Sequence, residues 1–572
     1  MNKKWVLREK ISDDLENQIL FYRGIKTEEG AEKFFNPDYK RDLRDPFLFS
    51  AMEKIVVRII KAVENNEKIV IFGDYDADGV CASVIFHDFF KKIGFENFKV
   101  YIPDRNREGY GLNVAAIDSF LENKVNLIIT VDCGISDFEE IKRAKKGKVD
   151  VIVVDHHLPP EKLPPAFAIL DPFLEGENYP FKQFCGAGLV FKIVSALIKY
   201  SSFSAKGGSA SGGKIIPGWE KWLLDVAAIA TIADMFSLTD ESRVLVFFGL
   251  EVLKKTRRPG LISIFQKLRI DKLNITEDDI GFLVAPCVNV ASRMAHATIS
   301  FSLLTTASPE EAESFSQKLI GINNERKKIT EELFKKVDSD LSQLSALPEV
   351  IVLGDESWPI GILPLLLNKI LDKYNRPVIG WGRGDASYKI KGSCRSNGRI
   401  NLVELLTEIG DKIFIEYGGH AVSAGFAVKE GKISDLNKEV EKAYQKIAYY
   451  DIEPPVLWLD AELNLEEIDR NLLNFIGRFR PFGSENPKPV FLLTNLKVHD
   501  IRVFGNGGIH LEIGFRKNSG EIIRAIGFFM VERLDFSVEK GALVDLAASV
   551  EENIFNGYSE LRMRVVDMRK AR

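Results

Sequence analysis

A chain of 572 residues, 45% apolar and 28% charged, is of ordinary globular composition but too long for one hydrophobic core, so ~3–4 domains are expected. Its 77 basic and 82 acidic residues leave a net charge of −5, so global charge lends no support to nucleic-acid binding and only a local basic groove would serve. Five scattered cysteines without a CxxC pair argue against a zinc knuckle or disulfide framework, and no apolar run nears the ~18 residues of a membrane span. The basic start Met1–Trp5 has no apolar signal core behind it, which makes a reducing cytoplasm the expected location.

Residues 1–50 read as a small helical lead-in ending in Asn36-Pro37 and Asp45-Pro46 turn signals. From residue 51 helical and strand patterns alternate. Met52–Asn65 has helical periodicity, Lys68–Phe72 is a buried strand, and Val80–Ile93 is a helix with Asp78-Gly79 at its mouth. Short apolar runs follow at Phe98–Ile102, Val125–Val131 and Val149–Val154, a pattern that predicts a parallel α/β sheet. The Gly/Ser-rich segment 201–218 has linker composition and reads as a surface insertion. Trp219–Ala233 reads as a helix ending at Asp234. The charged stretch 309–345 reads as one long connecting helix. A second α/β pattern fills 346–452. Glu453-Pro454-Pro455 marks a boundary, and short strands with Gly/Asn turns over 453–572 predict a small β-barrel.

Acids recur where ligands bind in such sheets, beyond the carboxyl ends of the strands. Asp74, Asp76 and Asp78 crowd behind Lys68–Phe72, Asp132 follows Val125–Val131, and Asp155-His156-His157 follows Val149–Val154. Carboxylates this close repel one another unless a cation holds them, and carboxylate with imidazole suits manganese, zinc or iron better than calcium. Two-metal phosphoryl hydrolysis needs such a compact set, with one bridging carboxylate. Asp132 is the candidate bridge, and Asp76 and Asp78 are candidates for different metals. His156 is an imidazole ligand oriented by Asp155, and Asp234 completes the second site. A single Asp-rich turn is more often a solvated loop; three strand-terminal sites in one α/β pattern are much less so.

The motifs Asp74-Tyr-Asp-Ala-Asp-Gly79 and Asp155-His156-His157 resemble the DHH phosphoesterases and, within them, the RecJ family of single-stranded-DNA-specific 5′→3′ exonucleases. Arg105–Leu112, Cys185-Gly-Ala-Gly188, Lys391–Ser396, Gly418-Gly-His420 and Pro481-Phe-Gly483 with Asn486-Pro487 fit the same family. The resemblance covers nearly the whole chain from residue 50. It implies a parallel-sheet DHH catalytic domain over 51–308, a connecting helix over 309–345, an α/β DHH-associated domain over 346–452 and an OB-type barrel over 453–572.

By position, the resemblance implies Asp74, Asp76, Asp78, Asp132, His156 and Asp234 as ligands of two Mn2+ or Mg2+ ions, with His157 facing the scissile phosphate. Phe72 stands where many superfamily members carry a histidine. Asn289 and Arg293 suit phosphate recognition, and Arg105 lies in a matching segment. Ser393 and Arg395 match positions that grip the 5′-phosphate, and His420 stands between glycines near the substrate backbone. The alternatives are a surface ion pair for Arg395 and a structural turn histidine for His420. Cys287 and Ser292 depart from the family's usual Arg and Gly, and Trp358-Pro-Ile-Gly361 from its usual turn order. The implied substrate is single-stranded DNA with a 5′ end, cut to 5′-mononucleotides in repair and recombination. A monomer is implied, with single-strand-binding protein and a helicase as partners. Short oligoribonucleotides or cyclic dinucleotides, and a degenerate non-enzymatic scaffold, are the rival readings.

Overall fold

Every residue of Ile69–Gly73 and of Leu127–Val131 is buried, as continuous apolar, β-branched runs require of central parallel strands. The computed structural model describes residues 3–200, 215–383, 390–447, 455–505, 507–531, 533–534, 536–555 and 558–571; residues 201–214 of the expected insertion, and Glu453-Pro454, lie outside them. The chain divides into two compact units. One comprises Leu43–Phe236 and Asp240–Ile452, the other Met1–Asp42, Ser237–Thr239 and Glu453–Arg572.

In the first unit, five parallel strands stand in the order Phe98–Tyr101, Ile69–Gly73, Leu127–Val131, Asp150–Val154, Ala168–Leu170. In chain order this is 2-1-3-4-5, so connections leave in opposite directions from the first and third strands, and a crevice opens at their carboxyl ends. Asp74 and Asp132 are the residues that follow those two strands. Helix Met52–Glu64 turns Met52, Ile55, Val56, Ile59, Ile60 and Ala62 inward, a stripe at i, i+3, i+4 spacing. Each buried Ile or Val there contributes ~1.5–3 kcal/mol. Helix Ala77–Lys92 is buried on most of its surface and packs against Gly186–Lys199 and Leu224–Ala233. The expected helix 219–233 starts as a tight 3-10 turn, Trp219–Leu223, before the α-helix Leu224–Ala233.

Helix Pro309–Ser342 runs 34 residues, or about 50 Å. Ser308 caps it, accepting from the Glu311 amide at 3.2 Å, with Pro309 at the first helical position. Ala312, Ser316, Leu319, Asn323, Thr330 and Val337 form its narrow buried stripe. The sheet after it is mixed: Ile351–Gly354 and Val378–Arg383 are parallel, then Ile390–Arg395, Ser423–Val428 and Phe414–His420 are added antiparallel.

The second unit holds a closed barrel. Phe491–Phe504, His510–Arg516, Ile522–Gly527, Tyr558–Lys570 and Leu543–Phe555 pair in that order, and the last returns to the first. Phe491, Phe515, Leu546 and Met563 belong to its core. The N-terminal residues contain helices, as expected, but begin with strand Lys4–Leu7, which pairs parallel with Val456–Leu459. Ile19, Leu20 and Phe34 join the barrel-side core with Phe479.

Candidate metal centre

Asp76 caps helix Ala77–Lys92, its carboxylate accepting from the amides of Asp78 at 2.9 Å and Gly79 at 3.2 Å. Capping fixes the turn and leaves Asp74 at the strand end. Gly79 permits this fit, because a Cβ there would lie 2.5 Å from the Asp74 carbonyl oxygen. Asp78, in the first helical turn, accepts from the amides of Gly186 at 2.6 Å and Ala187 at 2.8 Å, at the start of helix Gly186–Lys199. The partial positive charge of that helix end favours an acid there.

Asp132 takes a left-handed backbone conformation, φ 62°, straight after its strand. Asp tolerates this better than most residues, and the turn aims its carboxylate into the crevice. His156 Nε2 lies 2.9 Å from Asp132 Oδ1, 3.6 Å from Asp78 Oδ2 and 3.9 Å from Asp234 Oδ2. Asp234 sits at the C-terminal cap of helix Leu224–Ala233. Three overlapping donor sets each span no more than 4.8 Å: Asp74, Asp76 and Asp132; Asp78, His156 and Asp234; Asp132, His156 and His157. All line one cavity of about 360 Å3, together with Arg105, Asn289 and Arg293.

The cluster is short of positive charge. Burial, then the Asp76 carboxylate, pushes Asp78 up to about 7. Burial, then Asp78 and Asp76, pushes Asp234 up to about 8. Asp74 and Asp132 lie well above the carboxylate range, from burial first and neighbouring carboxylates second. Asp74 Oδ1 is enclosed without a hydrogen-bond partner. Unsatisfied oxygens and mutual repulsion in one pocket are what divalent cations relieve, so the donor set fits such ions.

The histidines differ. Asp155, wholly buried, accepts from the amides of Ile135, His156 and His157 and from His157 Nδ1 at 2.7 Å. It therefore orients the His157 ring and not, as expected from sequence, that of His156; the ring that folds back over the carboxylate is that of the residue two positions on. Burial lowers His157, but the Asp155 hydrogen bond and charge outweigh it and lift His157 to about 9. Burial and then His157 depress His156 to about 4, leaving a neutral imidazole suited to a ligand.

The phosphate-side candidates separate. Asn289 Oδ1 accepts from the Ala77 amide at 2.7 Å, tying helix Ala285–Met294 to the acidic turn. Arg293 Nη1 donates to the Gly361 carbonyl at 3.3 Å, and a Cβ on Gly361 would lie 2.1 Å from the Arg293 carbonyl, so the unusual Trp358–Gly361 order keeps glycine at a close approach. Arg105 stacks 5.0 Å over the Tyr75 ring. Arg395 donates to Ser393 Oγ at 2.9 Å and Asn368 Oδ1 at 3.0 Å, and among the described residues no carboxylate pairs with it. His420 lies exposed at the end of edge strand Phe414–His420 and is not among the residues lining the acidic cavity.

Three neighbours of the site are not evident from sequence. Tyr110 donates to the Asp132 carbonyl at 3.1 Å and lies 3.2 Å from His157 Nδ1. Phe236 presents its ring 4.9 Å from that of His156. Asp171 follows the fifth strand, buried, with Oδ2 unpartnered. It occupies the same kind of position as Asp74 and Asp132, but Ala168–Leu170 is too short a run to announce a strand.

A parallel sheet with carboxylates and imidazoles at its switch point, joined by a long helix to a second, mixed sheet, defines a DHH-type phosphoesterase. Residues 68–231 match the DHH family N-terminal domain, 347–446 the DHHA1 domain and 459–567 the RecJ OB domain. The single-stranded-DNA-specific exonuclease RecJ of Bacillus subtilis is 33% identical over 550 residues, 96% of this chain and 67% of the relative. That of Haemophilus influenzae is 30% identical, covering 92% of each. The chain belongs to the RecJ family. A crystal structure of exonuclease RecJ bound to manganese is similar at 28% identity and TM-score 0.61, over 71% of this chain and 97% of that one. The Thermus thermophilus RecJ–Mn2+ structure shares the fold at TM-score 0.80 and 24% identity, over 100% of this chain and 80% of that one.

Proposed function

We propose that this protein is a metal-dependent exonuclease that degrades single-stranded DNA in the 5′→3′ direction, releasing 5′-mononucleotides. The observation that carries the reading is the convergence of Asp74, Asp76, Asp78, Asp132, His156 and Asp234 in one cavity in a chain of the RecJ family. These six residues would hold two divalent cations, manganese or magnesium, with Asp132 and His156 each belonging to two donor sets. When bound, the ions supply Lewis acidity toward the phosphodiester and lower the pKa of water.

The protein's own groups do the rest. His157, kept protonated by Asp155, donates to a non-bridging phosphate oxygen as its charge grows. Asn289 holds the acidic turn in place. Arg293 and Arg105 place cationic groups on the cavity wall, and Ser393 with Arg395 receives the strand's 5′ end. His420, on the exposed edge strand, contacts the strand's backbone. The barrel holds the single strand downstream, where aromatic stacking and basic groups suit unpaired bases. The same reading makes the enzyme a cytoplasmic monomer in repair and recombination, acting on strands opened by a helicase and coated by single-strand-binding protein. Five buried free cysteines accord with a reducing compartment.

Digestion of end-labelled single-stranded DNA, with duplex, 5′-hydroxyl and oligoribonucleotide controls and with or without manganese, tests the proposal. Manganese-dependent release of mononucleotides from the 5′ end is expected. Release from the 3′ end, or equal digestion of duplex, overturns it.

A further inference from the structure

Helix Leu224–Ala233 ends in a turn that favours glycine. The Met235 amide donates to the Ile232 carbonyl at 3.2 Å and the Phe236 amide to the Thr231 carbonyl at 3.1 Å, a pairing that holds Met235 in the left-handed conformation, φ 55°. After the helices Met52–Glu64, Val114–Glu122, Phe138–Lys146, Pro259–Leu268 and Leu363–Tyr374, the left-handed residue is Asn66, Lys124, Lys148, Arg269 and Asn375 in turn, each of them polar. Met235 is the exception. It is also 77% exposed, more than any other large apolar residue among those described. A Cβ is strained in that conformation, and an exposed thioether chain gains no burial in return. The turn itself therefore has no use for methionine.

Both neighbours of Met235 in the chain belong to the metal centre. Asp234 before it is part of a donor set, and the ring of Phe236 after it lies 4.9 Å from that of His156. That contact ends a row of rings: His156 lies 4.4 Å from His157, and His157 lies 5.7 Å from Tyr110, which is exposed. Leu158 follows His157 directly and is 72% exposed. His156 Nε2 lies 3.9 Å from Asp234 Oδ2, so the segments carrying Leu158 and Met235 meet at the site. Exposed aliphatic side chains scattered singly are ordinary. These two instead flank one cluster of ligands, while the cationic groups of the cavity, Arg105 and Arg293, come from other segments.

We propose that Leu158 and Met235 are substrate-binding residues that pack against unpaired nucleobases next to the scissile phosphate. The inference rests on the exonuclease reading above. With a phosphate at the donor sets, the nucleotides on either side of it cross the residues that border those sets. An unpaired base offers an apolar face to such side chains, whereas in a duplex that face is covered by its neighbours in the stack. A thioether chain is flexible and polarizable and suits aromatic partners of varied shape, so the contact serves any base. The pair thus favours single strands in a way that phosphate contacts, common to both forms, do not.

The test compares the unaltered enzyme with Met235→Asn, Leu158→Ser and the double variant, with manganese present. The substrates are a single-stranded oligonucleotide and versions of it with one abasic residue at the first, second or third position from the 5′ end. Asparagine accepts the left-handed turn and serine suits an exposed loop, so no variant should melt below the unaltered enzyme. On the intact strand each single variant should raise KM roughly 5-fold and the double variant further, with kcat little changed. At one or more positions the abasic residue should cost the unaltered enzyme a similar factor and the double variant nothing more, since the contact is already gone. Met235→Gly, the preferred residue of the turn, replaces the asparagine variant if that one does not fold. An unchanged KM in the double variant, or an abasic penalty as large as in the unaltered enzyme, overturns the inference while leaving the exonuclease reading intact. A lower melting temperature for both the asparagine and the glycine variants would show that the methionine serves the fold, and overturns its assignment. Failure of the unaltered enzyme to digest the intact strand overturns the exonuclease reading itself.

Discussion

Asp132 concentrates the physics of the site in one side chain. It is buried, left-handed in backbone, 2.9 Å from His156 and surrounded by other carboxylates. Asp132→Asn keeps the shape and tolerates the backbone but removes the charge. It should lower kcat by at least ~10²–10³-fold while the circular-dichroism melt stays cooperative; near-native turnover would remove Asp132 from the catalytic set. Protonation gives a second prediction. Asp78 and Asp234 titrate at about 7 and about 8 when folded, against ~3.9 for an unfolded aspartate. The folded, metal-free chain therefore binds more protons in that window, and its stability falls as pH rises through it. His157, lifted to about 9, acts in the same direction: its contribution is complete below the unfolded value of ~6.5 and is lost as pH rises through 9. His156, depressed to about 4, works the other way and costs stability as pH falls below ~6.5. Melting of chelator-treated protein should thus fall from roughly pH 6.5 toward pH 9, and manganese should reverse the fall by taking the protons' place. A flat melting profile would mean the carboxylates are not coupled as described.

Among elements, glycine separates the packed from the free. Gly79 lets helix Ala77–Lys92 press on Asp74, whereas Gly321, within the connecting helix, has nothing within 4 Å of its missing Cβ. Gly79→Ala should cost ~1–3 kcal/mol by overpacking and abolish cleavage, since the Asp74 backbone must move. Gly321→Ala should stabilise by roughly 0.5–1 kcal/mol, by restricting the unfolded chain and improving helix propensity. Denaturant unfolding of both variants checks the opposite signs. Both glycines lie within helices in the chain, and only the neighbours tell them apart.

Across the whole molecule, the N-terminal residues matter to the far end of the chain. Lys4–Leu7 pairs with Val456–Leu459, and Ile19, Leu20 and Phe34 are buried in the barrel-side core. Removing residues 1–42 withdraws at least three large apolar side chains, worth roughly 5 kcal/mol or more together. Hydrogen exchange in strand Phe491–Phe504 should then quicken sharply, while the strands around Asp74 and Asp132 keep their protection. Unchanged protection in the barrel would show that the N-terminal segment is dispensable there.

Strand-terminal acids were legible in the chain because short apolar runs alternating with helical segments argue for buried strands of a parallel sheet, and the residue after such a strand emerges at its carboxyl end. The same logic announced Asp74, Asp132 and Asp155, and the stretch 309–345 announced its helix through its length and its charged, helix-favouring composition. Which imidazole Asp155 grips was not legible, since that depends on how the chain turns after the strand. Nor was the joining of Lys4 to Val456. Local patterns report whether a residue is buried; partners hundreds of positions apart are chosen by packing, once the chain has closed on itself.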